Sequence, residues 1–200
     1  MICAFSLLLP PVCFYLLFHK LFCFSRGVAD VIAMVRQVDE REFDGLLNKT
    51  REDILRANSS ALGFKQEQRA RAWLLFEYLR RTGFNALVIL SWAYAEQEKL
   101  ERPEMSKDEV RAGMISEIID AGTACRLYVL FALSKLSWRI LLDGLRIAPV
   151  RAITDLRLAA EIDGIETYRR FANAAAALSS EHGANAHRQL IALLRGSDFV

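Results

Sequence analysis

From Ala124 to Ile147 the chain is rich in Leu, Phe and Trp, and its charges Lys135, Arg139, Asp143 and Arg146 fall within one narrow sector when residues are wound at 100° per position. The run is far longer than a strand of about three to ten residues. It therefore reads as a helix with one charged edge that needs cover on its other sides, the place of a central helix in a bundle. Pro149 ends it, because proline offers no amide to the helical ladder.

The remaining segments follow the same period. Phe43, Leu46, Leu47, Ile54, Leu55 and Leu62 recur at helical spacing through a highly charged stretch, which predicts an amphipathic helix or a broken pair. Asn58, Ser59, Ser60 and Gly63 punctuate it. A helix over 64–82 follows, with Ala70, Trp73, Leu74, Phe76 and Leu79 on its apolar face and Gly83 suited to a left-handed C-terminal cap. Residues 85–102 have a strand-like core, Ala86 to Leu90, but the pattern continues in helix-favouring residues until Pro103, so length argues for helix. Ser106 and Glu109 form a capping box that opens a helix to Ala121, ended by Gly122. Shorter helices are expected over 150–162, 165–178 and 184–195, separated by Gly164, by Ser179 and Ser180 with Gly183, and closed by Gly196. Period-two alternation is absent. The fold class is all-α: a compact bundle of about seven or eight helices, since each amphipathic face needs another to cover it, preceded by an apolar N-terminal segment.

That leading segment, residues 1–26, obeys different rules from the single helical domain expected over 27–200. Met1 to Phe18 carry no charge, and as a helix they would span about 27 Å, near the thickness of a hydrocarbon core. Pro10 and Pro11 interrupt the run, and the basic residues follow it instead of preceding it, which argues against a cleaved signal peptide. If residues 1–24 insert in a bilayer, Lys20, Arg26 and Arg36 keep the body on the cytoplasmic side with the N-terminus outside. Met34 offers an alternative start for translation, just ahead of the helical patterning. Beyond the leader only Cys125 remains, so no disulfide is expected within the domain, in keeping with a reducing cytoplasmic compartment.

Composition and motifs exclude several chemistries as leading readings. The formal net charge is +2, far from the basic footprint of a protein that lives on nucleic acid. His182 and His187 stand about 140° apart on a helix and do not form a metal-binding i,i+4 pair. The chain lacks a Glu-x-x-His pairing, a glycine-rich phosphate loop and a Walker pattern. No catalytic, cofactor-binding or metal-binding residue is assigned, no cofactor is expected, and a small-molecule substrate is not favoured.

Two constellations invite a binding role. Lys135, Arg139 and Arg146 form a stripe that would grip an acidic partner or lipid headgroups, or else serve as a solvated edge, with Asp143 partly neutralising it. Residues 158–173, with Gly164 at a turn and Ile165 after it, make a degenerate helix-turn-helix in which Arg169, Arg170 and Asn173 would face DNA; Asp163 and Glu166 place negative charge beside the phosphates. Apolar content is high for so charged a chain, and several helices are apolar over more than the sector a small bundle hides. The sequence thus points first to a non-enzymatic protein acting through a protein partner, as an accessory or adaptor subunit of a larger and membrane-associated assembly. A DNA-binding regulator and an enzyme whose site is assembled from distant residues are the alternatives.

Overall fold

The computed structural model describes residues 27–101, 109–144 and 160–196. Among these residues there are seven helices and no strand: α1 (Val28–Met34), α2 (Glu40–Leu47), α3 (Lys49–Asn58), α4 (Ala61–Leu100), α5 (Glu109–Gly144), α6 (Ala160–Ser180) and α7 (Ala184–Arg195). The fold is an all-α bundle. The leader, the capping box at Ser106, the helix expected over 150–162 as far as Ala159, and Arg146 lie outside the described residues.

Local chemistry explains where the helices start. Asp39 accepts from the amides of Arg41 and Glu42, Asn48 from that of Arg51, and Ser60 from that of Gly63, each satisfying donors a first turn leaves orphaned. Asn48 separates α2 from α3, so the charged stretch is the broken pair. Gly63 belongs to the first turn of α4 and does not interrupt it. Gly183 and Gly196, with φ of +114° and +106°, bound α7 as expected of glycine punctuation.

Three other glycines behave differently. Sequence pattern makes Gly83, Gly122 and Gly164 helix ends, yet α4, α5 and α6 run straight through them. The reason lies across the interface. A Cβ at Gly83 would stand 2.9 Å from Val129 Cγ1, and one at Gly122 would stand 2.8 Å from Phe171 Cε2 and 2.9 Å from Leu90 Cδ2. These glycines let neighbouring helices approach, at an intrinsic helix cost of about 1 kcal/mol each relative to alanine. Gly164, beside Tyr128 at 3.7 Å, is under less pressure.

The continuous helices are long: α4 has 40 residues and α5 has 36. They pair antiparallel, with Asp143 of α5 at Lys65 and Arg69, Val129 at Gly83, and Arg111 at Glu96. The helix α6 packs antiparallel on α5, through Phe171 at Gly122 and Arg170 at Glu117, and α7 folds back on α6. The core between them holds Trp92, Phe171, Leu75, Ile89, Ile115, Ile118, Leu136, Leu178, Leu190 and Leu194.

The segment ahead of α4 is fastened by polar ties. The side chain of buried Asn85 accepts from the Arg36 amide at 2.8 Å and donates to the Arg36 carbonyl at 2.7 Å, so its amide pairs with the connection after α1 as a strand neighbour would. Val38 donates its amide to the Leu193 carbonyl at 2.9 Å. Helical structure begins before Met34, at Val28, and Val31 and Val35 sit in the core, so the patterning starts earlier than the sequence suggested.

Candidate functional site

The second half of α5 carries the feature that most needs explaining. Leu127, Leu130, Phe131, Trp138 and Leu141 are all exposed, from 38% for Leu130 to 64% for Leu127. Wound at 100° per residue they fall, with exposed Ser134, inside a sector of roughly 100°, opposite the buried residues Cys125, Val129, Ala132 and Leu136. Earlier on the same side of α5 stand exposed Gly113, Ser116, Asp120 and Thr123. One solvent face therefore changes from small and polar to aromatic and aliphatic partway along a single helix.

The charged stripe expected on this helix is split between two roles. Lys135 and Arg139 occupy the shoulder of the apolar sector, and the Lys135 ammonium lies 4.3 Å from the centre of the Phe131 ring. Asp143 instead turns toward α4, where Arg69 and Lys65 meet it; the Arg69 hydrogen bond holds its carboxyl below the usual range. The helix is thus not the fully sheathed centre of the bundle: the sector facing water is the greasy one. On α4, one turn from Arg69, Trp73 is also exposed, as is Leu74 beside it.

The residues of the helix-turn-helix reading lie in a different setting. Because α6 is continuous through Gly164, the turn that motif needs is not there. Arg169 pairs with Glu40, with Asp44 at 3.4 Å and with Glu166 at 3.8 Å. Arg170 pairs with Glu117 at 2.7 Å, and the side-chain carbonyl of Asn173 accepts from Arg195 at 3.0 Å. All three serve contacts within or between helices of this chain. Glu40 is almost wholly buried between Arg169 and Arg195, the latter at 3.0 Å, and so ties α2 to α6 and α7.

A second charged knot was not singled out in the sequence. Glu96, 1% exposed, accepts from the Trp92 indole at 3.2 Å and from Lys99 at 2.6 Å, and pairs with Arg111, which also reaches Glu181 at 3.4 Å. Burial alone would raise the Glu96 carboxyl, but Lys99 and Arg111 outweigh it and hold it low. The spacing of Trp92, Glu96 and Lys99 along one helix face was the available signal; Arg111 comes from α5 and Glu181 from the turn after α6.

No group of three or more His, Cys, Asp or Glu residues is arranged to hold a metal among the described residues. The His182 ring packs on Trp92, and His187 Nδ1 lies 2.8 Å from the Ala176 carbonyl oxygen. Burial pushes the Cys125 thiol up to about 12, so it stays protonated and poorly nucleophilic near neutral pH. Cys125 lines an apolar cavity of about 60 Å³ between α2, α4, α5 and α6, together with Phe43, Leu75, Tyr128 and Tyr168. Among the described residues no helix is long and apolar enough to cross a membrane. Comparison with protein-family models, curated proteins and solved structures gives no match to this chain.

Proposed function

We propose that this chain is a non-enzymatic helical protein that works by protein–protein interaction, as an accessory or adaptor subunit of a larger assembly, with the apolar half of α5 as its docking surface. The observation that carries the reading is the run of five large apolar side chains along one open face. At roughly 25 cal/mol per Å², covering about 500 Å² of such surface would contribute about 12 kcal/mol before the costs of ordering and association. Exposed patches of about 300–600 Å² are the largest a typical soluble monomer carries, and they are often functional. The leader, uncharged from Met1 to Phe18, supports an assembly at the cytoplasmic side of a membrane, with residues 1–24 as the tether.

Affinity capture of the tagged full-length protein from membrane and soluble fractions tests this when wild type is compared with Trp138→Glu and Phe131→Glu. Both side chains are open to water, so the substitutions should leave the fold intact by circular dichroism. The expected result is loss of a defined set of co-captured proteins in the two variants. An unchanged set would refute α5 as the docking surface.

A further inference from the structure

The spacing and charge of the α5 face say what kind of partner fits it. Leu127, Phe131, Ser134, Trp138 and Leu141 are separated by four, three, four and three residues, the alternation of a seam on which another helix packs knobs into holes. Over those positions the seam runs about 21 Å straight along the helix. Ser134, small and central between Phe131 and Trp138, leaves a hole for a partner's knob. Its hydroxyl already donates to the Leu130 carbonyl at 2.8 Å, so covering it orphans no polar group.

Charge then sets the partner's flanks. Between Asp120 and Asp143 the only charged residues are Arg126, Lys135 and Arg139. At 100° per residue Arg126 falls on one shoulder of the seam, and Lys135 and Arg139 fall on the other. The nearest acid beyond, Asp143, is held by Arg69 and Lys65 of α4 with Arg139 also close to it, which leaves Lys135 as the cation nearest the middle of the seam. Resting on the docking role of α5 proposed above, we infer that the partner segment is an amphipathic helix of another protein, with an apolar stripe of matching alternation and acidic side chains along both edges. A second copy of this chain fits less well. Antiparallel pairing about Ser134 matches Leu127 with Leu141 and Phe131 with Trp138, but sets the two Lys135 ammonium groups on the same side of the seam, and cations meet no acid anywhere along it. An anionic lipid surface would meet the same aromatic and cationic side chains, but the hole at Ser134 between Phe131 and Trp138 suits the knob of a helix and serves no purpose against lipid.

The test uses the full-length chain and two labelled helical peptides, both with leucine at the seam positions, one flanked by glutamate and the other by lysine. Fluorescence anisotropy should show the glutamate peptide binding at least about tenfold tighter at low salt, narrowing as salt rises. The double variant Lys135→Glu, Arg139→Glu should invert the preference, and Trp138→Ala should weaken both peptides. Equal binding of the two peptides that still depends on Trp138 would overturn the acidic-partner inference while leaving α5 as a docking face. Failure of both peptides, with Trp138-dependent uptake by phosphatidylserine vesicles, would reassign the face to a membrane. Failure of both, with self-association in sedimentation that Phe131→Glu abolishes, would reassign it to a second copy. No response in any arm would overturn the docking reading as well.

Discussion

Two glycines on α5 should answer the same substitution with opposite signs. At Gly113, where nothing lies within 4 Å of an added Cβ, alanine gains only the helix propensity that glycine forfeits, about 1 kcal/mol. At Gly122 the same gain is set against three contacts of 2.8–2.9 Å, one to Phe171 Cε2 on α6 and two to Leu90 on α4. Carbon atoms prefer separations of about 3.5–4.0 Å, so each contact is roughly 0.6–1.2 Å too close. Both neighbouring helices press on the site, and moving one aside does not relieve the other. Overpacking of this kind costs about 1–3 kcal/mol. Gly122→Ala should therefore be neutral to destabilising by about 2 kcal/mol, and the two variants should differ by about 1–3 kcal/mol. For a domain of this size each kcal/mol moves the melting midpoint by about 2–4 °C. Urea unfolding followed by circular dichroism, with the m-value checked for constancy, reads the difference directly. If Gly122→Ala stabilises as much as Gly113→Ala, then close approach is not why glycine stands in the middle of this helix.

Other outcomes follow from single sites. Asn85→Ala leaves the Arg36 amide and carbonyl without their partner; a loss of about 2–4 kcal/mol is expected, with faster hydrogen exchange at the Arg36 amide, and unchanged exchange there would contradict the tie. Because the folded Glu96 carboxyl titrates below its ordinary value of 4.5, its contribution is present above that pH and is lost as pH falls through the lower folded value. Glu96→Gln should therefore unfold with a shallower dependence on acid below the ordinary carboxyl value of 4.5 than wild type, and parallel urea-midpoint curves would refute it. Cys125, 1% exposed with a raised thiol pKa, should resist iodoacetamide at about pH 8, below its ordinary thiol range, until urea unfolds the chain, as peptide mass analysis would show. Rapid modification of Cys125 in the native protein would mean that the interior near the cavity opens readily.

The all-α class was legible because helical spacing extends through nearly every segment, and the strand alternative at Ala86 to Leu90 was decided correctly by length. Helix boundaries were legible where a side chain or a positive φ enforces them, as at Ser60, Gly183 and Gly196. They were not legible at Gly83, Gly122 and Gly164, because a glycine that admits a neighbouring helix looks the same in sequence as one that ends its own. The surplus of apolar surface could be read from composition and pattern. Its direction could not: Lys135, Arg139 and Asp143 mark what looks like the water-facing edge of α5, yet Asp143 reaches across to Arg69 and the open side is the one with Phe131 and Trp138. The salt links of Glu40 and Glu96 involve residues far apart in the chain, which pattern within one helix does not reveal.

Uninterrupted rods through Gly83 and Gly122 also set a span. Counting along α5 at 1.5 Å per residue, the knot at Arg111 and the indole of Trp138 stand about 40 Å apart, more than the width of a small domain at about 30 Å. Two bodies of ordinary size could sit at opposite tips of this hairpin without colliding.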